Sequence, residues 1–233
     1  MVESSRLARV VAVCAWLAAL LPIVALVAFL AAYRFDLARF SDLPSIVGDR
    51  GAAPTLRLAG LLDMAAYLPV APVVIYLHRR LRDRAPDLIG LLTFGGLAYV
   101  ALGSLGGTLF ATVGPPLVED GSEAARTAFG AFATMITITL WGTLELIYMA
   151  VWLIGVGWLV RAEHAGFGTL AVVAGVGALL SAARSGITGL SVGELRGPVD
   201  VVIVGLLGLY VPWLAWLGVL LYRGQRAGST AGR

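Results

Sequence analysis

Six long apolar stretches, separated by short segments that hold nearly all the charge, set the pattern of this chain. Between Arg9 and Arg34 the only ionisable side chains are Cys14 and Tyr33, and between Asp87 and Glu119 only Tyr99. Residues 58–77 contain one carboxylate, Asp63, and residues 127–160 one, Glu145; 165–183 and 201–222 contain none. About 20 apolar residues in a helix cross the hydrocarbon core of a bilayer. The pattern predicts helices over 8–33, 56–79, 87–112, 123–161, 166–187 and 199–223. The fourth is too long for one crossing, so it tilts or begins outside the hydrocarbon. Breakers fall between the stretches: Pro44, Gly48, Gly51 and Pro54, then Gly114, Pro115 and Pro116, then Gly189, Gly193, Gly197 and Pro198. Asp120-Gly121-Ser122 fits the start of the fourth helix, with Ser122 as its N-cap. Residues 35–47 alternate apolar and charged positions, which suits a short interfacial helix over the outer mouth or an irregular loop.

The expected fold class is all-α: a polytopic six-transmembrane-helix bundle, one domain over residues 1–233. Composition agrees, with 59% hydrophobic and 13% charged residues, far from the soluble globular range. A pI near 9.3 first suggests nucleic acid. The basic residues flank the apolar stretches instead, as topology requires, so no nucleic-acid partner is expected. Arg6, Arg9, Arg79, Arg80, Arg82, Arg84, Arg161, Arg223, Arg226 and Arg233 fall on one side; Arg34, Arg39, Arg50, Arg57, Arg126, Arg184 and Arg196 fall on the other, in longer loops diluted by acids. Both termini are therefore expected in the cytoplasm. The turn at 79–84 reads first as a topology anchor and second as a docking patch for anionic lipid. The first apolar run exceeds a signal-peptide core and reads as a retained helix.

Lysine is absent, which rules out a Schiff base and hence a retinal-binding pump. Cys14 is the only cysteine, so an intrachain disulfide is impossible and a thiolate metal site is not expected. His78 and His164 stand near span ends, not where a membrane haem is held. No cofactor and no metal are predicted. Asp-rich prenyltransferase pairs, a Gly-x-Ser-x-Gly elbow and a phosphate loop with lysine are all missing. Small residues recur at four-residue spacing, as Gly103/Gly107, Ala174/Ala178/Ala182 and Gly177/Ser181/Ser185, which suits close helix packing.

Candidate chemistry rests on depth. At about 1.5 Å per residue, Asp63 on the second helix and Glu145 on the fourth lie roughly 20 Å from the cytoplasmic boundary, and Arg184 on the fifth slightly further out. Charge inside a span is costly unless it faces a partner or a wet cavity. The economical arrangement turns all three inward, with Arg184 neutralising one or both acids. Tyr67 is one turn from Asp63; Trp141, Tyr148 and Trp152 fall at −4, +3 and +7 from Glu145, on one helical face. Tyr99 and Tyr210 come out near mid-depth. Glu145 and Asp63 are thus the catalytic candidates, and Trp141, Tyr148, Trp152, Tyr67, Tyr99, Arg184 and Tyr210 the ligand-binding candidates. A purely structural ion-pair network is the bland alternative, and Arg184 alone could snorkel to headgroups. Asp200, Arg57 and Glu194 are expected to be solvated at the outer boundary.

The stretches Leu56-Arg57-Leu58-Ala59-Gly60-Leu61-Leu62-Asp63, Ile75-Tyr76-Leu77-His78-Arg79-Arg80-Leu81-Arg82, Gly96-Leu97-Ala98-Tyr99-Val100-Ala101-Leu102-Gly103 and Pro115-Pro116-Leu117 resemble those of an uncharacterised bacterial family of six-helix integral membrane proteins. The resemblance implies a multi-pass fold in the bacterial cytoplasmic (inner) membrane and no activity. Three functions fit the residues: binding of a membrane lipid or other hydrophobic small molecule among helices two, four and five; an intramembrane enzyme using Glu145 or Asp63 as a general acid on an isoprenoid or lipid, by analogy with terpene cyclase chemistry; and a small proton-coupled transporter with the two acids as relays.

Overall fold

The computed structural model describes residues 5–190 and 197–230, with side chains described up to Tyr222 and Arg223. Glu194 and Arg196 lie outside these residues. Everything described is helix, turn or loop. In chain order the helices are α1 (Ser5–Ala32), α2 (Leu37–Ser41), a 3-10 turn (Leu43–Ile46), α3 (Ala52–Tyr67), α4 (Val70–Leu81), α5 (Pro86–Thr112), α6 (Gly114–Asp120), α7 (Glu123–Thr134), a π-helix (Met135–Glu145), α8 (Leu146–Val160), α9 (Ala165–Thr188), α10 (Pro198–Gly208) and α11 (Tyr210–Thr230). They join into six helices long and apolar enough to cross a membrane: Arg6–Ala32, Ala52–Leu81, Pro86–Asp120, Glu123–Val160, Ala165–Thr188 and Pro198–Arg223. Six apolar runs thus give six spans. Leucines, valines and phenylalanines such as Leu20, Leu91, Phe94 and Val202 cover the outside, as contact with acyl chains requires.

Prolines shape the spans according to their position. Pro115 and Pro116 were expected in a loop but stand in the first turn of α6, where a missing N–H costs nothing; Pro54 likewise falls inside the first turn of α3. Further along a helix the missing donor breaks the ladder. The second span parts at Leu68 and Pro69, between α3 and α4. The sixth parts at Leu209, three residues before Pro212, and Pro22 sits inside α1.

The expected start of the fourth span is found. Gly121 takes φ +70° to end α6, and Ser122 accepts a hydrogen bond from the Ala125 N–H at 3.1 Å. A side chain on Gly121 would press on the Gly48 backbone, which closes this loop by a hydrogen bond from its N–H to Val118. The 35–47 segment forms the short α2 and a 3-10 turn, with Ile46 and Val47 turned inward and Phe35 and Leu37 exposed.

Two apolar cores divide the bundle along its length. One, toward the arginine-rich end, gathers Leu81, Val160, Phe167 and Leu221 around Trp152 and Trp213. The other packs Tyr33, Ile46, Leu56, Phe110 and Phe129 at the opposite end. At the arginine-rich end Glu163 bridges Arg84 and Arg80, clasping the α8–α9 loop to the turn after α4. The hydrogen bond from Arg84, reinforced by Arg80, holds Glu163 below the usual carboxylate range. The clasp is therefore complete at neutral pH and is lost as acidification passes through that lowered value.

Arg184 does not neutralise Asp63 or Glu145. Its Nε donates to Asp200 Oδ1 at 2.7 Å, with only 8% and 16% of the two side chains exposed. Asp200, expected in solvent, is instead the partner that starts the last span. Arg184 stands near the end of α9 and Asp200 in the first turn of α10, so the pair ties these two helices together. Replacing either Arg184 or Asp200 by alanine is expected to lower stability by up to about 3 kcal/mol, since it removes one side of a mostly buried ion pair, and the double variant to recover part of that loss. Thermal unfolding of the four detergent-purified proteins measures the coupling.

Candidate functional site

Asp63 and Glu145 meet at the junction of the two apolar cores. Asp63 lies near the end of α3, one turn before its last residue, Tyr67. The Tyr67 hydroxyl donates to Glu145 Oε1 at 3.0 Å. Glu145 is 5% exposed. Its second oxygen, and Asp63 Oδ2, are enclosed without a hydrogen-bond partner among the described residues. Neither acid forms an ion pair among those residues.

Glycines of α5 make this arrangement possible. A Cβ on Gly103 would overlap the Tyr67 ring, one on Gly106 would overlap the Trp141 indole, and one on Gly107 would lie 2.9 Å from Asp63 Oδ2. Gly60 of α3 faces them: a Cβ there would sit 2.6 Å from the Ala111 backbone nitrogen and 2.7 Å from the Gly107 carbonyl. The two backbones touch, and the polar side chains fill the notches. Gly103 and Gly107 were expected as packing devices alone; they also shape the site. Their signal in the sequence is three glycines within five residues, on a span neighbouring one that holds an acid and a tyrosine four apart.

The π-helix brings in the other acid. Met135–Glu145 is wound with wider turns, ending at Glu145, and Thr143 donates its hydroxyl back to the Ile138 carbonyl at 2.8 Å. Segments of this kind are rare and often mark functional sites. The winding also disperses the expected aromatic face. Trp141 goes to the outer core, stacked on Phe110 with centroids 5.2 Å apart. Tyr148 turns to the periphery and meets Phe94, 58% exposed. Trp152 goes to the inner core, against Tyr99 and Trp213. Trp141 therefore parts from Trp152, whereas Tyr148 and Trp152, both in α8, stay on the side of the inner core. The α-helical spacing that predicted such a face does not hold across a π segment.

The tyrosines do converge. Tyr67, Tyr99 and Tyr210 meet in sequence, with ring centroids 5.3 Å and then 5.8 Å apart. Tyr210 is buried beside Tyr99, its hydroxyl without a well-formed hydrogen bond. Between them lies a cavity of about 80 Å³, lined by Asp63, Tyr67, Tyr99, Tyr210 and, from α1, Ala18 and Pro22. It has room for a few water molecules, at about 30 Å³ each. Pro22 has no N–H to offer the Ala18 carbonyl one turn before it, so a free backbone acceptor belongs to the residues bordering this space. The breaks at Leu68–Pro69 and Leu209 flank it. Two of the four spans lining the cavity are thus interrupted, and a third carries Pro22 inside an unbroken helix.

A carboxylate at such depth is kept neutral by a proton or neutralised by a cation, since bare charge there costs several kcal/mol. The centre offers two carboxylates and three phenols, a set suited to holding and passing protons. Among the described residues no three His, Cys, Asp or Glu side chains gather into a metal-holding group. No known protein family, curated protein or solved structure matches the chain.

Gly103→Val and Gly107→Val are expected to lower stability by about 1–3 kcal/mol each, the usual cost of overpacking, and to displace Tyr67 and Asp63. Gly90→Val, at a position with open space around it, serves as the control. Unfolding temperatures in detergent give the readout.

Proposed function

We propose that the chain is a multi-pass protein of a bacterial cytoplasmic membrane, both termini inside, whose Asp63–Tyr67–Glu145 centre takes up and releases protons coupled to passage of a small solute through the bundle, and leaks protons when that solute is absent. The carrying observation is the Tyr67 hydroxyl on buried Glu145, one turn from Asp63, with no arginine on either acid and with Asp63 and Tyr67 lining a water-sized cavity. Intramembrane acids so placed are characteristic of proton relays. The arginine asymmetry supports the orientation. Interrupted helices around the cavity supply the joints that a transport cycle needs.

The other two expected readings find less support. Pockets for drug-sized ligands run from about 300 Å³ upward, well above this cavity. The aromatic rings near Glu145 pack on one another rather than lining a space for a prenyl chain. Neither a lipid held between helices two, four and five nor an isoprenoid cyclised on Glu145 gains from that geometry.

Purified protein in liposomes carrying an internal pH-sensitive dye tests the proposal. Under an imposed potential the wild type is expected to pass protons faster than protein-free vesicles. Glu145→Gln and Asp63→Asn are expected to fall to the protein-free rate while eluting as folded protein on size exclusion, and Tyr67→Phe to fall between. Equal flux in wild type and both acid variants defeats the proposal, as does a wild type no faster than empty liposomes.

A further inference from the structure

A second cavity, of about 130 Å³, opens where α1 begins and α4 ends, lined by Leu7, Pro72, Ile75, Tyr76 and Arg79. We infer that it is a binding site for an anionic phospholipid, with the phosphate on Arg79 and an acyl chain along the cleft. The chain's own backbone creates the space. α1 packs extensively along α3 but only lightly along α4, the segment beyond the break at Leu68–Pro69.

The walls have two characters. Leu7, Pro72 and Ile75 offer apolar surface, and Ile75 is 45% exposed on the flank that faces acyl chains. Arg79 closes the end nearest the α4 terminus and is exposed. Its arginine neighbours are occupied: Arg80 and Arg84 share Glu163, and Arg82 lies against Asp83. Arg79 has no carboxylate partner among the described residues, so it is the cation of this turn left for an outside anion. A lipid phosphate fits, because a guanidinium holds it by two parallel hydrogen bonds while the attached chain occupies the cleft below. An apolar wall recommends a lipid over free phosphate, since phosphate gains nothing from Leu7 or Ile75.

Delipidated full-length protein, titrated with phosphatidylglycerol or phosphatidylcholine and followed by native mass spectrometry, gives the test. The wild type is expected to retain phosphatidylglycerol more strongly by about fivefold, the effect of one arginine at a membrane surface. Arg79→Gln is expected to erase that preference and Arg82→Gln to keep it. Ile75→Trp, which fills the cleft and leaves the charge, is expected to weaken retention of both lipids. Inorganic phosphate at millimolar concentration is expected not to compete. Equal retention of the two lipids by wild type, an unchanged preference in Arg79→Gln, or displacement by phosphate overturns the inference.

Discussion

The close approach of α3 and α5 is what the interior depends on. Gly60 against Gly107 lets two backbones touch, and in an apolar solvent such contact is a main source of helix association, because oil gives no drive to bury oil. The same glycines leave the notches into which Tyr67, Trp141 and Asp63 fit. Without them the polar groups could not lie between helices and would face acyl chains. Packing and chemistry therefore share one set of residues, and a change made for either is felt by both.

A division of labour follows along the bundle axis. Dense aromatic and aliphatic cores at the two ends hold the spans in place. The layer between them holds groups that oil tolerates poorly. Ionic contacts that are fully paired stand away from that layer: Arg184 with Asp200 at one end and Glu163 with Arg80 and Arg84 at the other. The interior acids are left with a phenol on Glu145 and a small cavity beside Asp63.

Much of this was legible in the residue order. Six apolar runs located six spans within a few positions, because the length of such a run is set by bilayer thickness. The Ser122 cap was readable from its local chemistry, and the shared height of Asp63 and Glu145 from the constant rise of a helix. Azimuth was less accessible. Depth placed Arg184 near the acids, but its guanidinium meets Asp200 in the first turn of α10. The expected stripe of Trp141, Tyr148 and Trp152 assumed 3.6 residues per turn through Glu145, where the backbone winds more loosely. The proline breaks were visible as residues, and their gathering around one cavity is a property of tertiary arrangement alone.

The loosely wound segment also has a mechanical meaning. A stretch of i→i+5 pairing holds surplus residues relative to an α-helix, and α8 is joined to it directly at Glu145. Tightening one turn to ordinary pairing rotates the flanking helix by about 100°, one residue's worth of screw. The direction in which the Glu145 carboxylate points is therefore set by the winding of the residues that precede it.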